Sequence, residues 1–381
     1  MIVSNVHINS FRSIRDLSFP VDPKITVLIG PNESGKTNIL KAIQSFRSEI
    51  PLTVEQTCQY SEFYQLGKPP EIGIEFNMLI KEEKARLGGL YEGFRDIESF
   101  ILVREGPKIS DYKIQTGDKV FSLGNGKPLF DLLPKILYFD SIPIIRDHVS
   151  LESLIKDEED VETERNLLKI GGVEDPSIIF EDTTRGRRAT EETGREITHR
   201  IQQVWTQEPS LEIKLRVNGK ILYIDFSDST TVYDTPKFRS PGFLWFLSFY
   251  INFIATTSDA RTNEYLFLLD EPGSHLHPSG QKDLANLLEN LSQKNQLLYT
   301  THSPFMINRA SPQRVRVVNK DINGTSIDSV AYRENWKPLR QSIGLTVGDL
   351  FFFSSKGSIK EFPPQKGVLF TKSNKKGQPL I

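Results

Sequence analysis

Ile25-Thr26-Val27-Leu28-Ile29-Gly30-Pro31-Asn32-Glu33-Ser34-Gly35-Lys36-Thr37-Asn38 is the stretch from which the rest of the chain can be read. Ile25 to Ile29 is a short apolar run without polar alternation, as in a strand buried on both faces of a parallel sheet. Gly30 to Thr37 then fits the pattern G-x-x-x-x-G-K-[ST]. Ile39, Leu40, Ile43 and Phe46 recur at helical spacing, which predicts a helix starting near Thr37. Strand, glycine loop and helix in that order form a phosphate cradle, because consecutive backbone N–H groups and a helix N-terminus point at the anion. Lys36 is expected to reach the β- and γ-phosphates of ATP, and the Thr37 hydroxyl to bind Mg²⁺. The nucleotide contacts expected here are Gly30, Pro31, Asn32, Glu33, Ser34, Gly35, Lys36, Thr37 and Asn38. The plain alternative is a glycine turn with an incidental lysine.

Two later segments supply chemistry for such a cradle. In Leu266-Phe267-Leu268-Leu269-Asp270-Glu271-Pro272, four apolar residues run into an acidic pair, which describes a buried strand with carboxylates at its tip. Asp270 is expected to hold Mg²⁺, and Glu271 to orient and deprotonate the attacking water. The competing reading is a strand end with a capping carboxylate. His302, in Tyr299-Thr300-Thr301-His302-Ser303-Pro304-Phe305, closes the next strand 31 residues after Glu271. A histidine at a strand end is commonly structural, but beside the other two segments it can hydrogen-bond the γ-phosphate or the water.

The elements between these motifs follow the same grammar. Ile2 to Ile8 and Glu71 to Phe76 read as strands. Leu211 to Val217 and Lys220 to Phe226 read as a hairpin around Asn218-Gly219, with both turn residues at positive φ. The aromatic stretch from Gly242, with Phe246, Phe249, Tyr250 and Phe253, is apolar nearly all round and reads as a buried helix rather than a base-stacking platform. A strand at Tyr265 to Leu269, a helix through Leu284, Leu287, Leu288 and Leu291, and a strand at Gln296 to Tyr299 form a βαβ unit, hence a parallel sheet. Arg314 to Val318 and Thr325 to Tyr332 close as a second hairpin. Residues 140–204 are charged, poor in aromatics and mostly helical in pattern.

Composition bounds the class without naming the chemistry. At about 150 residues per domain, 381 residues amount to some two and a half domains' worth of chain. The 47 basic and 49 acidic residues nearly cancel, which excludes a histone-like polycation and an acidic tail protein. The single cysteine, Cys58, rules out a disulfide framework and a multi-cysteine metal site. No signal peptide is read at the N-terminus, and the 14-residue run Gly242 to Ala255 is too short to span a bilayer. A cytoplasmic protein with no membrane association is expected.

The P-loop, Ser240-Pro241-Gly242, Leu266 to Pro272, Ser274 to Gln281 and Tyr299 to Phe305 stand in the order found in ABC-type ATPases. The set most resembles the RecF/SMC-like branch and, within it, the ATPase domain of OLD-family (overcoming lysogenization defect) proteins. Asn9 to Phe19 resembles that branch's first strand, whose arginine, here Arg12, lies close to the nucleotide. The resemblance covers nearly all of residues 1–350. It implies an α/β fold: an ABC-type P-loop ATPase with a mostly parallel core sheet, an antiparallel β-subdomain and a helical insertion. It also implies ATP sandwiched between two protomers, with Ser240 and Gly242 reaching the γ-phosphate of the partner's site. Pro241 and Phe243 depart from the transporter form of that signature. Ser274 to His277 is expected to cross to the partner, with His275 and His277 open to a metal-binding alternative. The glutamine that contacts Mg²⁺ in the family has no clear counterpart among Gln59 and Gln65.

The expected organisation is an N-terminal ATPase part with the P-loop (1–139), a helical insertion or arm with a dimerisation role open (140–205), a C-terminal ATPase part with signature, acidic pair and switch histidine (206–350), and a basic tail (351–381). OLD-family nucleases continue into a Toprim domain that holds metal through several carboxylates. From Phe351 onward the only acidic residue is Glu361 among six lysines, so no nuclease activity is expected of this chain. The resemblance implies a homodimer or higher homo-oligomer that hydrolyses ATP and controls a separate nuclease or toxin effector in anti-phage defence. Two alternatives stand beside it: a RecF-like DNA-repair ATPase, and an ATP-dependent scaffold with little turnover. Arg185-Gly186-Arg187-Arg188 reads either as a DNA phosphate contact or as a solvated turn.

Overall fold

The chain opens as a hairpin, β1 (Ile2–Phe11) and β2 (Ile14–Pro20). Then come β3 (Ile25–Ile29), α1 (Lys36–Gln44), α2 (Glu62–Gln65), β4 (Glu71–Asn77), α3 (Lys81–Leu90), β5 (Ser99–Arg104), β6 (Tyr112–Thr116), β7 (Lys119–Ser122) and α4 (Lys127–Phe130). β8 (Lys135–Phe139) and β9 (His148–Ser150) precede α5 (Leu151–Ile155), α6 (Glu162–Ile170), α7 (Ser177–Phe180) and α8 (Thr184–Val204). The last part holds β10 (Glu212–Asn218), β11 (Ile221–Ser227), α9 (Pro241–Thr257), β12 (Tyr265–Leu269), α10 (Pro278–Leu291), β13 (Gln296–Thr301), β14 (Val315–Asp321) and β15 (Gly324–Asp328). This computed structural model describes residues 1–330 except 48, 79–80, 91–96, 109–110, 118, 123–126, 140–141, 157, 182, 231–234 and 259–263. The expected basic tail and the end of the 206–350 segment lie outside the described residues, as does Asp140, the expected start of the insertion.

The central sheet has the order β15-β14-β3-β13-β12-β8 and is parallel except for the β14–β15 hairpin. A second six-stranded sheet, β2-β1-β4-β5-β6-β7, is antiparallel throughout. A third, β10-β11-β9, is small and antiparallel. The architecture is a mixed α/β fold with a mostly parallel core and separate antiparallel sheets, as the motif order leads one to expect.

The unbroken apolar runs are explained by two cores, one on each face of the central sheet. Val27, Ile29, Phe267, Leu269, Leu297 and Tyr299 face a core shared with α6, α8, α9 and α10. Leu28, Leu266, Leu268 and Leu298 face the other, shared with α1 and the large antiparallel sheet. Alternation is therefore present but invisible in the sequence, because both sets are apolar. Each such side chain contributes about 1.5–3 kcal/mol on burial. α9 is the aromatic pillar of the first core: Trp205 packs against Phe246 at 4.7 Å, and Phe253 against Phe267 at 4.3 Å between ring centroids. It is a buried helix. Among the described residues no helix is long and apolar enough to cross a membrane.

Two local details differ from the sequence reading. In the β10–β11 hairpin Asn218 pairs with Ile221, so the two turn residues are Gly219 and Lys220. Of these Gly219 alone has positive φ, at 59°. Glycine at the first central position with an ordinary residue after it is the other tight-hairpin solution, and it lets Asn218 remain a ladder residue. The second difference is β9, three residues inside the mostly helical 140–204 segment that pair with β11. So short a strand gains its hydrogen bonds from a distant partner, and no local periodicity announces it.

Candidate functional site

The three chemical segments converge because their strands are parallel neighbours. β12 pairs with β13 and β13 with β3, with Leu269 opposite Tyr299 and Thr301 opposite Ile29. The residues that follow these strands therefore emerge together at the carboxyl edge, where open α/β sheets build their sites. Gly30 follows β3, Asp270 and Glu271 follow β12, and His302 follows β13.

The loop after β3 is shaped by its glycines. A Cβ on Gly30 would lie 2.2 Å from the Val318 carbonyl oxygen, and one on Gly35 would lie 2.2 Å from Thr325 Oγ1. Gly35 sits at φ 105° and Glu33 at φ 63°, both in the left-handed region. Gly35 is the N-cap of α1 and gives it no side-chain capping bond, so the first backbone N–H groups of the helix remain available. Ser34 Oγ is buried without a hydrogen-bond partner among the described residues. Glu33, Ser34, Gly35, Lys36, Thr37 and Asn38, with Lys320, line a cavity of about 310 Å³. A concave, backbone-lined, basic cradle of this kind fits a polyphosphate.

Lys36 is 6% exposed, and its Nζ donates to the carbonyls of Gly30 and Pro31 at 3.0 and 3.1 Å. The same atom lies 3.1 Å from His302 Nε2 and 3.7 Å from Glu271 Oε1. His302 Nε2 and Glu271 Oε1 are 2.8 Å apart. Burial pushes the Lys36 pKa down, opposed by the charges of Glu271 and Asp270. Burial pushes Glu271 up, with Asp270 adding to the rise and Lys36 opposing it. Burial, and then the nearby Lys36 charge, push His302 down.

Asp270 and Glu271 are held by groups the motif reading did not name. Thr300 Oγ1 donates to Asp270 Oδ1 at 2.6 Å and accepts from the Glu271 backbone N–H at 2.7 Å. Tyr138 OH donates to Asp270 Oδ2 at 3.3 Å. Glu271 stands at φ 49°, a conformation that costs a non-glycine residue about 1–3 kcal/mol and is typical of a functional position. Gln281 ties the acidic loop to the histidine loop, donating to Gly273 O at 3.1 Å and accepting from Ser303 Oγ at 2.6 Å. Thr300 and Gln281 were within reach of sequence reasoning, since they stand inside the Tyr299–Phe305 and Ser274–Gln281 segments; Tyr138 and Lys320 carry no local signal.

Arg12 NH1 lies 3.4 Å from Asn38 Oδ1, and Asn38 Nδ2 donates to Ser13 Oγ at 2.9 Å, so the β1–β2 turn is fastened to α1. Arg12 itself has φ 50°. Ser240 and Gly242 stand elsewhere. Ser240 Oγ caps α9 by accepting from Phe243 N at 3.2 Å, and Pro241 takes the first helical position. A Cβ on Gly242 would lie 2.8 Å from the His275 carbonyl oxygen, so the signature helix starts against the 274–277 loop. Neither Ser240 nor Gly242 lines the P-loop cavity. His277 caps α10, its Nδ1 2.9 Å from Ser279 Oγ. Among the described residues no group of three or more His, Cys, Asp or Glu side chains is placed to hold a metal ion. Gln59 and Gln65 are exposed. Arg185, Arg187 and Arg188 are exposed at the start of α8, and Arg188 pairs with Glu192 at 2.7 Å.

Two solved structures share the fold. An Smc head bound to the C-terminal winged-helix domain of ScpA superposes with a TM-score of 0.53 at 16% identity, covering 86% of this chain and 97% of that one. An Smc head with an extended coiled coil, bound to the C-terminal domain of ScpA derived from Pyrococcus furiosus, gives 0.51 at 15% identity, covering 86% and 96%. Among curated relatives, the uncharacterized protein MJECL43 of Methanocaldococcus jannaschii is 31% identical over 149 residues, 38% of this chain and 37% of that protein. The DNA replication and repair protein RecF of Shewanella loihica is 33% identical over 130 residues, 28% and 36% of the two chains. The chain thus spans little more than a third of the relatives it matches. Residues 246–308 match the family described as "AAA domain, putative AbiEii toxin, Type IV TA system". Residues 1–230 match the family described as "AAA ATPase domain", which is more than half of the length, and the chain belongs to that family.

Proposed function

We propose that this chain binds ATP with Mg²⁺ in the P-loop cradle, hydrolyses it between two copies of itself, and uses the cycle to control a partner effector. The observation that carries the reading is the meeting of Lys36 Nζ, Glu271 Oε1 and His302 Nε2 within 3.7 Å of one another. In this reading Arg12 and residues Gly30 to Asn38 hold the nucleotide, and Thr37 with Asp270 holds the metal. Two protein oxygens suit Mg²⁺, which keeps most of its waters. Magnesium bound there neutralises phosphate charge. Lys36 adds positive charge at the terminal phosphates. Glu271 accepts the proton of the attacking water, and burial, which raises its pKa above the ordinary carboxylate value, makes it a stronger base than a solvated glutamate. His302, kept neutral by its lowered pKa, hydrogen-bonds the water or the γ-phosphate.

Ser240 and Gly242, at the start of α9 and outside the cavity of their own chain, are the residues a second copy would bring to the γ-phosphate. The helix N-terminus there suits an anion. The description of the second matching family names a toxin of a toxin–antitoxin system. Together with the resemblance to OLD-family proteins, it favours effector control in anti-phage defence. A second reading, an ATP-gated DNA-repair protein, draws on the stretch similar to RecF. ATP turnover measured with and without duplex DNA, on wild type and Lys36→Ala, tests both. The ATPase reading expects Lys36-dependent turnover, and its absence at saturating ATP and Mg²⁺ defeats that reading. Stimulation by DNA of tenfold or more would favour the repair reading over effector control.

A further inference from the structure

The β14–β15 hairpin is built against the phosphate loop and against the β1–β2 turn. The Val318 carbonyl abuts Gly30 so closely that only glycine fits. Thr325 Oγ1 donates to the Ser34 carbonyl at 3.0 Å and occupies the space a Cβ on Gly35 would need. Thr325 N donates to Ser13 O at 2.8 Å, and its hydroxyl is 2.8 Å from Ser13 Oγ. Thr325 is 5% exposed, so the hairpin is a fixed wall of the cradle.

Lys320 stands on that wall. It pairs in register with Thr325, is exposed, and lines the P-loop cavity with residues 33–38. Among the described residues it forms no ion pair. Glu33 is the one carboxylate in that lining, against the two lysines Lys36 and Lys320. The sheet order puts Lys320 and the catalytic cluster on opposite sides of β3. β14 lies on one side of β3, while β13 and β12 lie on the other. Lys36 Nζ, His302 and Glu271 converge on that other side, where the reading above places the γ-phosphate.

We infer that Lys320 is a nucleotide-binding side chain that contacts the phosphate tail at its α-phosphate end, opposite the catalytic carboxylates. The inference rests on the ATP-binding reading above. A cationic donor brought to a phosphate oxygen makes a charge-assisted hydrogen bond, and its loss weakens affinity by about 5- to 30-fold. The α-phosphate is common to ATP and ADP, so both should suffer alike.

The test is titration of the purified chain with ATP and with ADP in the presence of Mg²⁺. Lys320→Ala should weaken both by a similar factor within that range. Lys320→Glu should weaken both further, and Lys320→Arg should bind within about threefold of wild type, since it keeps the charge. Because Lys320 is exposed, thermal midpoints should not move. Unchanged affinities in Lys320→Ala, or a loss confined to ATP, would overturn the assignment. The broader reading fails separately: wild type that binds no ATP, or Lys36→Ala that binds as wild type does, defeats ATP binding at the P-loop whatever Lys320 does.

Discussion

His302 Nε2 lies 2.8 Å from Glu271 Oε1, joining the ends of two adjacent parallel strands, and Lys36 Nζ stands against both. In the proposed mechanism the trio acts as one unit, so its members should not contribute independently. Glu271→Gln should lower ATP turnover by about 10²–10⁴-fold, the range typical of a general base, while ATP binding persists. His302→Ala should cost about tenfold or more, and the double variant little beyond Glu271→Gln alone. Steady-state rates on the four proteins check this. Strictly multiplicative losses would mean that the imidazole and the carboxylate work separately.

The same trio sets a pH dependence. Glu271 must be ionised to accept a proton, and its pKa is raised by burial above the ordinary 4.5. His302 must be neutral, and burial with Lys36 holds its pKa below the ordinary 6.5. Turnover should therefore be flat near neutrality and fall with acid as both groups take up protons. The two are in contact, so the falling limb reports the pair. Its slope in log rate should approach two in wild type and one in His302→Gln. A single-proton limb in wild type would remove one of the two from the mechanism.

The cradle's shape predicts which glycines are indispensable. Gly30→Ala places a methyl 2.2 Å from a backbone oxygen, and Gly35→Ala combines a 2.2 Å clash with φ 105°. Both should lose at least about 1–3 kcal/mol of stability together with ATP affinity. Gly89, in α3 with no atom of the described residues near its would-be Cβ, is the control. Gly89→Ala should be neutral or stabilising by up to about 1 kcal/mol. Urea melts and nucleotide titration separate the three, and a Gly35→Ala chain that binds ATP as wild type does would show that the loop conformation is not needed.

How much of this was legible from residues alone follows from the range of each interaction. The loop between Gly30 and Thr37 reads directly, because glycine and lysine at fixed spacing encode a local backbone shape. The placement of Asp270, Glu271 and His302 reads almost as well, since a βαβ unit makes their strands neighbours. Lys320 and Thr325 do not read. Their nearness to Ser34 exists only because β14 pairs in parallel with β3, some 290 residues earlier, and neither residue type hints at it. The hairpin at Gly219 was legible as a hairpin but not in its turn register, because an Asn-Gly pair satisfies two tight-turn geometries that differ by one residue. β9 was hidden for the same reason as Lys320.

Arg104 gives a prediction that ties the antiparallel sheet to the site. It is completely buried, with its charge spent on carbonyls: Nε donates to Gly106 O at 2.8 Å, and NH1 to Ile50 O at 2.9 Å, to Arg47 O at 2.5 Å and to Ser45 O. Ser45 is the C-cap of α1, so a cation sits at the negative end of the helix dipole, and the opposite end of that helix carries Lys36 and Thr37. Lysine keeps the charge but not the five-donor fork. Arg104→Lys should leave carbonyls unsatisfied and cost about 1–3 kcal/mol, and Arg104→Leu should cost more. Because the anchor holds α1, folded Arg104→Lys should also bind ATP more weakly, whereas a surface change such as Arg188→Lys should not. Urea melts with ATP titration below the transition measure both effects; full affinity in a destabilised Arg104→Lys would show that α1 keeps its place without this anchor.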